Sequence, residues 1–101
     1  MDSLLKCFRA EYEGVLEYME FEGEWCRRQI AIYPDAVVLM QEDEVSDAKL
    51  SDCEFSPGSE ISPDDFGTVW RQMSSLPHYT RMVDRPDIRR YIQGRDQPDQ
   101  P

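Results

Sequence analysis

The chain has 101 residues, of which 40 % are hydrophobic and 11 % aromatic, and a formal net charge of −10. This is one domain with enough apolar material for a core, which argues against wholesale disorder. The charge argues against a general nucleic-acid binder or a ligand of anionic membranes, since both need clustered Lys and Arg. No stretch approaches the roughly 20 apolar residues of a bilayer span.

The first element, Leu4 to Tyr12, fits two templates. Leu4, Leu5 and Phe8 have helical spacing, while Leu4, Phe8, Ala10 and Tyr12 share one face of a strand. Periodicity alone does not separate them; the strand-rich run that follows favours a strand. After Gly14, Val15 to Glu22 is rich in β-branched and aromatic residues. Val15, Glu17, Met19 and Phe21 share one face, and Leu16, Tyr18, Glu20 and Glu22 the other. Glu22-Gly23-Glu24 is a tight-turn signal.

Trp25 to Tyr33 alternates. Cys26, Arg28, Ile30 and Ile32 fall on one face, and Trp25, Arg27, Gln29, Ala31 and Tyr33 on the other. Pro34-Asp35 marks a turn. Ala36 to Gln41 is a nearly continuous apolar run, as in a strand buried on both faces. Three consecutive strands with tight connections predict an antiparallel meander.

Glu42 to Ser59 reads as a long loop with one short extended piece around Leu50 to Phe55. Loops of this length are uncommon unless they are functional or packed by their own side chains. Ser62 then caps a helix, with Pro63 at its first position and Asp64 and Asp65 at its positive end. Phe66, Val69, Trp70 and Met73 follow as one apolar stripe, and Leu76-Pro77 ends it. A second helix is expected over Pro86 to Gln93, capped by Gly94. The polar, Pro-rich residues 95–101 predict a disordered tail.

The expected fold is therefore α+β: a small antiparallel sheet of three to four strands packed by a capped amphipathic helix, plus a short C-terminal helix and a disordered tail. Its expected organisation is a single domain over residues 1–94, with a core at 4–76 and an appendage at 77–94.

Val15-Leu16-Glu17-Tyr18, the run Glu24 to Asp35, Glu54-Phe55, and Glu60-Ile61-Ser62-Pro63-Asp64-Asp65-Phe66 with Val69-Trp70 carry a resemblance. Over residues 4–73 the chain resembles a small bacterial family of domains of unknown function, whose helix opens Ile-Ser-x-x-x-Phe-x-x-x-Trp. It departs from that pattern at Ala36, where a turn Gly is usual after Asp35. The resemblance implies an α+β fold and a bacterial cytoplasmic origin, and no catalytic residue.

No pair among Cys7, Cys26 and Cys53 has metal-knuckle spacing, and His78 is the one histidine. An odd cysteine count with no secretory signal points to free thiols in a reducing cytoplasm. A Cys–His nucleophile would have to use His78, and no signature surrounds any of the three cysteines. Glu42-x-Glu44 and Asp64-Asp65 are carboxylate pairs, but Glu42 to Asp47 lacks the calcium-loop pattern, and Asp64 and Asp65 already serve the helix start. No catalytic residue, metal ligand or cofactor is expected.

The charge is uneven. Residues 11–65 carry sixteen acidic residues against Arg27, Arg28 and Lys49, a net of −13, whereas residues 66–101 net +2. Such a body suits a basic protein partner, as in an inhibitor or immunity-type protein. The expected contact residues are Glu42, Asp43, Glu44 and Asp47 in the loop, with Trp25 as an anchor beside a turn. Two alternatives share the acidity: a nucleic-acid-mimicking inhibitor of a nuclease or regulator, and a small carboxylate- or metal-dependent enzyme.

Overall fold

The computed structural model describes residues 5–42, 45, 47–84 and 86. It is mostly sheet. Four long strands, β1 (Leu5–Tyr12), β2 (Val15–Glu22), β3 (Trp25–Tyr33) and β4 (Ala36–Gln41), form the antiparallel meander. Two short strands extend it at both edges. β5 (Glu60–Ile61) pairs with β1, and β6 (Tyr79–Arg81) pairs in parallel with β4, giving the order β5-β1-β2-β3-β4-β6.

The expected small antiparallel sheet of three to four strands is thus corrected: among the described residues the sheet has six strands and is mixed, and α1 (Pro63–Ser74) packs on it. The reason is tertiary. Strands of two and three residues carry no periodicity, and each exists only because the chain is laid against an edge that the meander left open. The extended piece expected around Leu50 to Phe55 is instead a 3-10 turn at Leu50–Asp52 followed by irregular chain. The second helix and the tail, placed at residues 86–93 and 95–101, lie outside the described residues apart from Pro86.

The chain wraps once around the sheet. After β4 it crosses to the β2–β3 turn, where the Leu50 N–H donates to the Glu24 carbonyl at 2.8 Å. It then runs across one face, where the Phe55 ring stacks on Phe8 (centroids 4.2 Å apart) and lies edge-on to Phe21. β5 follows on the β1 edge, and α1 returns across the opposite face to deliver β6 beside β4.

Each face has its own core. Under α1, Cys7, Ile30, Val37, Leu39 and Phe66 cluster, with Val69, Trp70 and Met73 of the stripe packed against them. On the other face Val15, Ala31, Val38, Met40 and Met82 cluster. β4 supplies both, which is why its sequence is continuously apolar. Ser62 caps α1 as expected, its Oγ accepting the Asp65 N–H at 3.0 Å.

Candidate protein-interaction site

The β2–β3 turn is built on Gly23, at φ +64°, a backbone region that favours glycine. Immediately after it the pairing slips. Glu20 opposes Arg28, but Phe21 opposes Cys26 and Glu22 opposes Trp25, so Arg27 is the extra residue of a bulge. A bulge reverses the alternation beyond it. Cys26 therefore shares the face of Phe21, not that of Ile30 and Ile32 as unbroken alternation implies, and Trp25 shares the face of Glu22.

Trp25 is 55 % exposed at this corner. The loop after β4 is tied to the same place. Glu24 accepts the Leu50 N–H through its carbonyl and the Ser51 N–H through its carboxylate, at 2.8 and 2.9 Å. The Ser51 N–H holds the Glu24 carboxyl below the usual carboxylate range, with Lys49 adding to the effect. The Lys49 ammonium sits 5.7 Å from the centre of the Trp25 ring, a cation–π contact.

Glu42 closes β4 in a left-handed conformation, at φ +57°. With Gln41, Cys26, Arg27 and Arg28 it lines a small open cleft of about 310 Å³. Asp47 is exposed two residues before Lys49. Lys49 thus meets Trp25 at this corner, with Asp47 two residues before it in the chain, and Glu42 lies in the cleft beside Cys26 and Arg27. Asp43 and Glu44 lie outside the described residues.

Sequence reasoning missed Glu24 and Lys49, which join loop to turn. A weak signal existed for the second, as the one cation between Arg28 and Arg71.

The corner stands on a firm base. Arg27 Nε and Nη1 reach Glu20 and Glu22, both at 3.4 Å. Behind them Arg28 makes a two-pronged bond to the buried Glu20, at 2.7 and 2.9 Å. Its guanidinium stacks over Phe66 and Trp70 of α1, at 5.2 and 4.8 Å.

The residues with catalytic or metal potential are scattered. Cys7 is buried under α1, Cys26 is buried on the other face, and Cys53 is half-buried. Burial pushes the Cys7 thiol up to about 11 and that of Cys26 to about 12, the reverse of an activated nucleophile. His78 is exposed in the turn before β6. Among the described residues no group of three or more His, Cys, Asp or Glu is placed to hold a metal ion. Nor is any described helix long and apolar enough to cross a membrane.

No family model matches the chain, and no curated protein matches it.

Proposed function

We propose that the protein is an acidic interaction module that binds a basic surface on another protein, in the manner of an inhibitor or immunity protein, through Trp25 and the loop acids Glu42, Asp43, Glu44 and Asp47. The observation that carries this reading is Trp25, a large aromatic side chain more than half exposed on a short, hydrogen-bonded turn inside a strongly acidic stretch. Exposed Trp is costly to leave in water and is enriched among residues that dominate binding energy. The surrounding carboxylates supply long-range attraction, which speeds association and makes it sensitive to salt. The three free thiols, two of them buried, suit work in a reducing cytoplasm.

The test is a tagged pull-down from native extract at low and high salt, with wild type beside two variants. One carries Trp25→Ala; the other carries Glu42→Gln, Asp43→Asn, Glu44→Gln and Asp47→Asn together. A basic protein that is retained at low salt, released by high salt and lost with both variants supports the reading. Equal retention by the variants refutes the site, and a partner that salt does not release refutes the electrostatic mode.

A further inference from the structure

We propose that the outer edge of β1 from Arg9 to Tyr12 is a strand-acceptor site, which takes an extended basic segment of another protein as an added strand. The site is separate from the β2–β3 corner and does not rest on it. Tyr12 pairs with Val15 at one end of the β1–β2 ladder, while the corner lies beyond Glu22, which pairs with Leu5 at the other.

The first support is backbone chemistry. β5 covers only Cys7 and Phe8 of β1. Past them, the Arg9 N–H donates outward to the Ser59 carbonyl at 2.8 Å, and Ser59 is the last residue before β5. Backbone groups of a strand alternate in direction, so the N–H and C=O of Glu11, two residues on, also point outward, whereas those of Ala10 face β2. Among the described residues no strand pairs with this edge beyond Arg9. An uncovered edge presents donors and acceptors to an incoming extended chain.

The second support is shape. Where the chain of residues 53–59 diverges from β1 it leaves a cleft of about 610 Å³, with Glu54 and Phe55 opposite β1, and Glu17 and Met19 beneath. An added strand would direct alternate side chains into this cleft. Met19 and Phe55 suit the aliphatic stem of Lys or Arg, and the Glu54 carboxylate suits its charged head, with the buried Glu17 beneath and Glu11, on the Arg9 face of the same edge, adding negative charge. Arg9, the one cation of the lining, is turned to the α1 face, where its Nε donates to the Tyr18 hydroxyl at 3.3 Å. The charge selects the occupant: a second copy of this chain, at −10, is repelled, and a basic segment is attracted.

The probe is an octapeptide of alternating Lys and Val, with a Glu–Val octapeptide as control, followed by amide NMR on the full chain. The expected result is binding of the Lys–Val peptide alone, with at least tenfold slower exchange of the Glu11 amide and shifts confined to residues 9–12 and 54–59. Glu11→Pro removes the outward donor without removing a β1–β2 bond, and is expected to weaken binding at least tenfold while the thermal transition persists. If Glu11→Pro fails to fold, Glu54→Lys leaves every β1 backbone group in place, reverses the charge of the cleft and carries the same expectation. Trp25→Ala is expected to bind the peptide as wild type does, which separates this site from the corner. No binding, equal binding of the Glu–Val peptide, or binding that leaves the Glu11 amide unprotected would each overturn the proposal.

Discussion

Arg28 grips Glu20 through two parallel hydrogen bonds of 2.7 and 2.9 Å, and the carboxylate it grips belongs to a residue only 1 % exposed. The pair spans neighbouring strands, and its cationic half is roofed by Phe66 and Trp70. It therefore joins the sheet to α1. Glu20 in turn holds the Arg28 guanidinium in its charged form. Arg28→Ala leaves the buried Glu20 carboxylate with only the longer Arg27 contact at 3.4 Å and is expected to cost about 3 kcal/mol in urea unfolding. The double replacement Glu20→Leu with Arg28→Met removes both charges and is expected to recover most of that loss. A double variant as unstable as the single one would show that packing of the Arg28 stem, not the pair, is what matters.

Alkaline stability follows from the thiols. Cys7 and Cys26 are raised by burial from an ordinary value of 9.0 to about 11 and about 12. A group whose folded pKa is raised stabilises the fold fully below its unfolded pKa and loses that contribution as pH rises through the folded one. The midpoint of denaturation is expected to hold steady from pH 7 to 8.5 and to fall across pH 9 to 12. Replacing both residues with Ala should flatten the dependence over that window. At pH 8 a disulfide reagent is expected to modify Cys53 first, and Cys7 and Cys26 only on unfolding.

The tie between loop and turn is a carboxylate. Glu24 is fully exposed, yet its pKa is lowered, chiefly by the Ser51 N–H. A lowered carboxylate stabilises its contact above the unfolded pKa, and the contact fails as pH falls through the folded value. The Ser51 amide resonance is expected to titrate with a midpoint below 4.5. Glu24→Gln should abolish that titration and speed amide exchange at Leu50 and Ser51.

The start of α1 rests on one side chain. Ser62→Ala removes the acceptor for the Asp65 N–H and is expected to cost about 1 kcal/mol, read from the thermal transition. Ser62→Asp should keep the cap and restore wild-type stability.

β2, β3, β4 and the capped helix are local features and were legible as such, whereas β1 fitted helix and strand alike and was favoured as a strand only by the run that follows it. Gly14, Gly23 and Pro34-Asp35 punctuate the chain, and the Phe66, Val69, Trp70, Met73 stripe has one period. The corner was legible in part. Trp25 announces itself as an aromatic beside a turn, and Glu42 and Asp47 as acids in a long loop, but what ties the loop to the turn is Glu24 bonding to Leu50 and Ser51 across 26 or more residues.

By itself, then, the sequence determined the three consecutive strands β2, β3 and β4, the helix with its cap and apolar stripe, and the sign of the charge, because each depends on residues within a turn or a strand of one another. Only tertiary structure decided the rest. β5 and β6 are too short to carry a pattern and form because the wrapped chain meets an open edge. The Arg27 bulge moves Cys26 to the other face, through a slip that alternation cannot encode. The open backbone of β1 beyond Arg9 exists because β5 begins only at Glu60, opposite Phe8, and Ser59 accepts the outward Arg9 N–H, so it is a property of where strands start and stop.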